Sequence, residues 1–284
     1  MGLFGGLFKK ESCGVCGAEV GALKRKKIAD GAICKGCAAK CSPWFDDFKG
    51  ATTASIQEQI EYRERNKNEL RSFELGRSYG DFGAVLISAD GKRFCALGKS
   101  SEGFFSSPRQ IASIDEVIDM NPDIIPVSDV ESVDVDIRET RDEHKRTENG
   151  RQVSYSPRRY TYKYTFVVDI RTKHPYAKNI RVQLNNGTVN INHEGERMPW
   201  VFDSTRNLAD MLSEVPGFEK QKEVLAGDSL GAKVVRGLTS MATADSYTMY
   251  GFNVTPSNRA SVEKYGRYVD MANEIRAALE PTEA

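Results

Sequence analysis

Four cysteines carry the clearest chemistry in this sequence: Cys13 and Cys16, then Cys34 and Cys37. They form two Cys-x-x-Cys pairs with seventeen residues between them, a spacing that suits one zinc ion. Two residues between cysteines let a tight turn aim both sulfurs at the metal. Two such turns complete a tetrahedron at about 2.3 Å per bond. Glycines fall where the turns need them, in Cys13-Gly14-Val15-Cys16-Gly17 and Cys34-Lys35-Gly36-Cys37. A disulfide pair would need an oxidising compartment, for which no targeting signal speaks. A redox dithiol would not come as a matched pair with a hairpin between. Four thiolates fill the shell, so the predicted zinc is structural and not catalytic.

The remaining candidates are weaker. Cys41 lies about one helical turn past Cys37 and reads as a bystander, and Cys95 as a small buried residue in a strand. Lys24-Arg25-Lys26-Lys27 reads as a solvated basic loop inside the head. His144, His174 and His193 stand apart in sequence and are expected at the surface. No Gly-x-Ser-x-Gly, phosphate loop or dinucleotide fingerprint occurs. The chain is therefore not expected to be an enzyme.

Composition bounds the rest. Forty basic residues balance forty acidic ones over 284 residues, so no global field draws nucleic acid or anionic lipid. No apolar run has the 18 or more residues of a membrane span. The start, Met1-Gly2-Leu3-Phe4, has its positive charge after a short apolar stretch and lacks a cleavage site, unlike a signal peptide. Gly6 stands where a myristoylation start wants Ser or Thr. Membrane association is not expected, and the cytoplasm is the expected compartment.

The elements that position the cysteines can be read in order. Asp30-Gly31 predicts a hairpin flanked by Ile28 and Ile33, and Ala38-Ala39-Lys40 a first helical turn. Together they form a zinc ribbon or treble-clef-like knuckle that the metal must stabilise. From Thr52 to about Phe73 a helix is predicted, started by Ser55 and Glu58 as a capping box. Its thin stripe of Ile56, Ile60, Leu70 and Phe73 describes a surface helix joining two modules.

Beyond Gly80 the pattern has period two. Strands are predicted over Gly83 to Ser88, Arg93 to Leu97 and Ile124 to Val127, and through Val133, Val135 and Ile137, with a short helix from Ile114 to Met120. Residues 141–159 read as a mobile loop. Tyr160, Tyr162, Tyr164, Phe166, Val168 and Ile170 then line one strand face, read as core in preference to a stacking platform. Ile180 to Leu184 follows, Asn186-Gly187 predicts a type I′ hairpin, and Val189 and Ile191 return. Helices are predicted over 205–213 and 218–226. A last one is capped by Ser257 or Asn258, and the stretch 227–250 is polar and aperiodic.

The fold class is thus α+β. A zinc head (1–45), a helical connector (46–79), a β-rich body (80–216) and a C-terminal helical region (217–284) are expected. About seven antiparallel strands, expected as a barrel or sandwich and followed by a helix, resemble in order alone a pleckstrin-homology-like or GRAM-like split barrel. Its first hairpin, Ala89 to Lys92, is nearly neutral, so phosphoinositide binding is not expected. The Phe8-Lys9-Lys10 start, the Cys13–Gly17 knuckle and Asp30-Gly31-Ala32-Ile33-Cys34-Lys35-Gly36-Cys37 resemble an uncharacterised bacterial family, domain of unknown function forty-four twenty-eight. That resemblance implies a small zinc-binding head and no activity. The expected role is an interaction or scaffold protein whose β-rich body binds a protein or peptide. Nucleic-acid binding through the head and its basic loop is the alternative, and an enzyme without a recognisable motif the third class.

Overall fold

The computed structural model describes residues 11–21, 23–98, 111–198 and 247–280. The helices expected at 205–213 and 218–226, and the N-terminal Gly-Leu-Phe segment, lie outside them. Two compact units are formed: residues 1–133 with 169–182 and 279–284, and residues 134–168 with 183–278.

The first unit begins with two small hairpins. β1 (Glu11–Ser12) pairs with β2 (Glu19–Val20) around the first knuckle. β3 (Arg25–Ile28) pairs with β4 (Gly31–Cys34), with Ile28 opposite Gly31. The turn is therefore Ala29-Asp30, one residue earlier than the Asp-Gly signal suggests, because Gly31 is used as the first strand residue. Arg25, Lys26 and Lys27 lie on a strand and not in a loop. α1 (Lys35–Ala39) starts at the second knuckle.

α2 (Thr53–Leu70) follows. Its capping box is Thr52 with Ser55, one turn before the pair expected: Ser55 N–H donates to Thr52 Oγ1 at 3.2 Å and Thr52 N–H to Ser55 Oγ at 2.9 Å. Ile56 and Leu70 are buried, as the apolar stripe predicts, but so are Gln59, Arg63 and Asn66. The helix is not a surface connector. Its polar side docks on residues 121–124 through hydrogen bonds, which apolar periodicity cannot reveal. Asn66 Nδ2 donates to Asn121 Oδ1 and to the Pro122 carbonyl, each at 2.8 Å, while Asn66 Oδ1 accepts from Ile124 N–H at 2.9 Å.

An antiparallel sheet completes the unit, in the order β5 (Leu75–Tyr79), β6 (Val85–Ser88), β7 (Arg93–Ala96), β8 (Ile125–Pro126). β5 was not apparent in the sequence, since Gly76 and Arg77 break its alternation. Two 3₁₀ turns, Ile114–Glu116 and Ile118–Met120, replace the short helix expected there. They pack Ile114 and Val117 against Leu70, Phe73, Leu86, Cys95 and Leu97.

β9 (Val130–Glu148) and β10 (Arg151–Thr172) are the longest strands. The expected loop at 141–159 is instead a continuation of both, turned at Asn149 and Gly150, which have φ of 50° and 75°. Its charge disguised it: a ribbon wet on both faces has no apolar period. β11 (Asn179–Gln183) and β12 (Val189–Glu194) each pair with β10 and not with one another, so Asn186-Gly187 makes no hairpin. Between them the buried Asn185 side chain stands in for ladder bonds, accepting from Phe166 N–H at 2.8 Å and donating to the Tyr164 carbonyl at 3.0 Å.

In the second unit β13 (Tyr247–Met249) and β14 (Phe252–Val254) form a hairpin whose turn, Tyr250-Gly251, has φ of 50° and 78°. α3 (Arg259–Leu279) packs on the tyrosine row: Tyr265 lies 4.7 Å from Tyr164 and 5.1 Å from Phe166, ring to ring. The row is core, as expected. Asn258 directly precedes α3, but its side chain turns back to accept from Thr255 N–H at 2.8 Å. The described residues therefore form a mixed fold of open antiparallel sheets with few helices. The strands expected as one barrel or sandwich of about seven lie in two open four-stranded sheets.

Candidate metal centre

The ligand atoms of Cys13, Cys16, Cys34 and Cys37 all lie within 4.8 Å of one another. Each knuckle delivers two of them from a turn held by backbone bonds. Gly17 N–H donates to the Cys13 carbonyl at 2.8 Å, closing the first turn. Cys34 is the N-cap of α1, and its sulfur accepts from Cys37 N–H at 3.3 Å. Cys34 N–H in turn donates to the Cys13 sulfur at 3.3 Å, joining the knuckles. Cys16 and Cys34 bring their sulfurs to 3.8 Å. A tetrahedral four-sulfur shell with bonds of about 2.3 Å spaces its sulfurs about 3.8 Å apart. The four thiols can hold one metal ion.

Their electrostatics favours a cation. Burial raises the Cys13 thiol, but backbone N–H groups of Cys16, Cys34 and Val15 outweigh it and bring the group down to about 6. Burial and then the neighbouring thiols push Cys37 far above the ordinary range. A cluster that stabilises one thiolate yet resists the next needs positive charge at its centre to ionise fully.

The head around the site is larger than the four ligands. Cys13 and Cys37 are buried among Ile28, Ile33, Phe48, Ala51 and Ile56, so the first turns of α2 belong to its core. Gly14 passes so close to the helix that an added Cβ would stand 2.5 Å from Thr53 Oγ1. Asp30 reaches from the β3–β4 turn to accept from Thr53 N–H at 2.9 Å. No sequence signal points to this contact, because an aspartate before glycine reads as a turn residue alone.

The other candidates fall out differently. Cys41 is no part of the four-sulfur cluster; it packs in the head core, and burial pushes its thiol up to about 11. Cys95 is fully buried in the sheet, as expected. His144 is exposed, but His174 and His193 are buried, contrary to the surface placement expected for them. His174 meets Tyr62 Oη at 3.0 Å through Nε2, and burial lowers its pKa. His193 Nε2 accepts from Asn253 N–H at 3.0 Å, which leaves Nδ1 to donate to the Gly195 carbonyl. Both hold structure together. In the basic run Arg25 pairs with Glu11 at 2.6 Å, and Lys26 sits 3.5 Å over the Phe48 ring, so two of its four cations are engaged within the head.

The fold and the site define a four-cysteine knuckle able to hold a metal ion, mounted on a hairpin and the start of a helix. Residues 11–59, which span that head, match the family described as "Domain of unknown function (DUF4428)". No curated protein and no solved structure matches the chain. Among the described residues no helix is long and apolar enough to cross a membrane.

Proposed function

We propose that the head binds one structural zinc ion through Cys13, Cys16, Cys34 and Cys37, and that the chain works as a cytosolic interaction protein without a catalytic step. The sulfur spacing carries the metal reading. All-thiolate tetrahedral sites are the preserve of zinc and iron–sulfur chemistry, and zinc suits a knuckle of this size whose folding the metal supplies. A closed four-sulfur shell leaves no position for substrate. Protein or peptide partners on the β-rich body fit a sequence without a recognised catalytic motif, and the internal engagement of Arg25 and Lys26 weakens the case for nucleic acid at the head.

Elemental analysis of the reduced full chain tests the metal. One zinc per chain is expected, lost in Cys34→Ala with unfolding of the head while the second unit keeps its structure. Iron in place of zinc, or no bound metal, would sink the reading.

A further inference from the structure

β9 and β10 extend as a two-stranded ribbon. From 144 to 159 every side chain except Val153 and Tyr155 is exposed, and those two are half-buried. β12 joins β10 only from Arg159 onward, so before that point β9 is its neighbour among the described residues. An isolated hairpin buries too little to support itself, and this one has to be read as a surface.

That surface is one-sided in charge. Between 144 and 159 the sequence carries five cations, Lys145, Arg146, Arg151, Arg158 and Arg159, against one carboxylate, Glu148, in a chain whose charges cancel overall. Arg146, Arg158 and Arg159 pair with Glu148, Glu143 and Glu194 at 3.3, 4.0 and 3.1 Å, but the three arginines stay 55, 62 and 54% exposed. Pairs so exposed yield to a stronger anion at little cost. Lys145 and Arg151 have no ion pair among the described residues. Tyr155 lies between two guanidiniums, 5.8 Å from that of Arg146 and 4.7 Å from that of Arg159. Contact with a ring face steadies an arginine while leaving its N–H donors outward.

We propose that this ribbon binds double-stranded DNA, lying in the major groove with its cations on the backbone phosphates. A major groove about 12 Å wide admits a two-stranded ribbon. From Arg151 to Arg158 the strand covers roughly 23 Å, enough to follow the groove past several phosphates. Phosphate oxygens are bound by arginine and lysine with serine, threonine and glutamine hydroxyls and amides, and Thr147, Gln152, Ser154 and Ser156 stand between the cations. A peptide added to a sheet edge needs pockets for alternate apolar side chains, and the ribbon supplies none. A second copy would set the same positive charges against each other. At the ribbon's root a cleft of about 620 Å³, lined by His144, Arg159, Asn192 and Asn258, continues the polar surface. The proposal is independent of the metal and of the head.

Fluorescence anisotropy of the full chain with a labelled random-sequence DNA duplex, followed between about 50 and 200 mM salt, tests it. Affinity should fall steeply, with a log–log slope of about −0.9 for each phosphate engaged. Lys145→Glu with Arg151→Glu should lower affinity at least about tenfold and make the slope shallower by about 2. Their side chains are solvated, so circular dichroism and zinc content should not change. Lys24→Glu with Lys27→Glu, in the head, should leave binding as it was. Binding that is absent, insensitive to salt or undiminished in the ribbon variant overturns the proposal. Equal affinity for polyglutamate or for phosphatidylserine vesicles overturns it as well, by assigning the ribbon to an acidic protein or a membrane.

Discussion

Arg63 Nη1 stands 2.7 Å from Asp123 Oδ1, and the two side chains are only 8% and 0% exposed. This ion pair ties the middle of α2 to the segment that leads into β8. Asp123 also accepts from Ser42 Oγ at 2.6 Å, and Ser42 N–H donates to Gln59 at 3.3 Å, so the pair is the centre of a buried polar network. Attraction between buried charges is largely offset by their desolvation, whereas one charge left alone bears that cost unopposed. Asp123→Ala should therefore lose about 3–5 kcal/mol in urea unfolding. Arg63→Met with Asp123→Leu should lose clearly less than the single change. Equal losses in the two proteins would show that the pair's charge is not what matters.

Asp30 and Thr53 make the second long link, from the β3–β4 turn to the first residue of α2. The carboxylate accepts from Thr53 N–H at 2.9 and 3.1 Å and from its hydroxyl at 3.2 Å. A helix start carries unsatisfied N–H groups and partial positive charge, which a carboxylate answers on both counts. Asp30→Ala is expected to cost about 1 kcal/mol. Amide exchange should rise in the first turn of α2 while the zinc content stays the same. Unchanged protection there would refute the capping role.

Asn185 poses a similar question for the long strands. It is buried and makes bonds with Phe166 N–H and the Tyr164 carbonyl that a neighbouring strand would otherwise make. Asn185→Ala leaves both backbone groups unsatisfied, at about 1–3 kcal/mol for each buried orphan. Asn185→Asp keeps the acceptor for Phe166 N–H, and at a pH acid enough to hold its buried carboxyl neutral it should fall between Asn and Ala. Chemical denaturation of the three proteins reads this order directly, and Ala no worse than Asp would contradict it.

The parts legible in the sequence are those that a short repeat distance specifies. The two Cys-x-x-Cys pairs announce a metal site because the ligand geometry is local to each pair. The row from Tyr160 to Ile170 announces a core strand because burial on one face imposes period two. The polar face of α2 was opaque: Arg63 and Asn66 are buried by partners some sixty residues away and Gln59 by Ser42, and nothing near them in sequence names those partners. The ribbon at 144–159 was opaque for the opposite reason, being held in strand by its hairpin partner with no apolar face to leave a pattern. Tyr250-Gly251 escaped notice as a turn because a bulky residue seldom takes positive φ; here Tyr250 does so with its ring buried beside Tyr265 at 5.2 Å.

Asp270, on α3, offers a pH-dependent test of the second unit. Burial first, and then the Glu274 carboxylate one turn on, raise it from 3.8 to about 6. The folded protein thus favours its protonated form more than the unfolded chain does. Below about pH 4 the group is protonated in both states and its contribution is fully present; that contribution is lost as pH rises through about 6. Asp270→Asn keeps a neutral side chain of the same size at every pH. It should match the wild type near pH 4 and exceed it at pH 7 by at most about 3 kcal/mol. The two stability curves should part between those limits, with the wild type losing ground to the variant as pH rises. Carbon-detected NMR titration of the Asp270 carboxyl supplies the second reading. A midpoint in the ordinary carboxylate range, with parallel stability curves, would mean that α3 carries this carboxylate in water and not against the aromatic core.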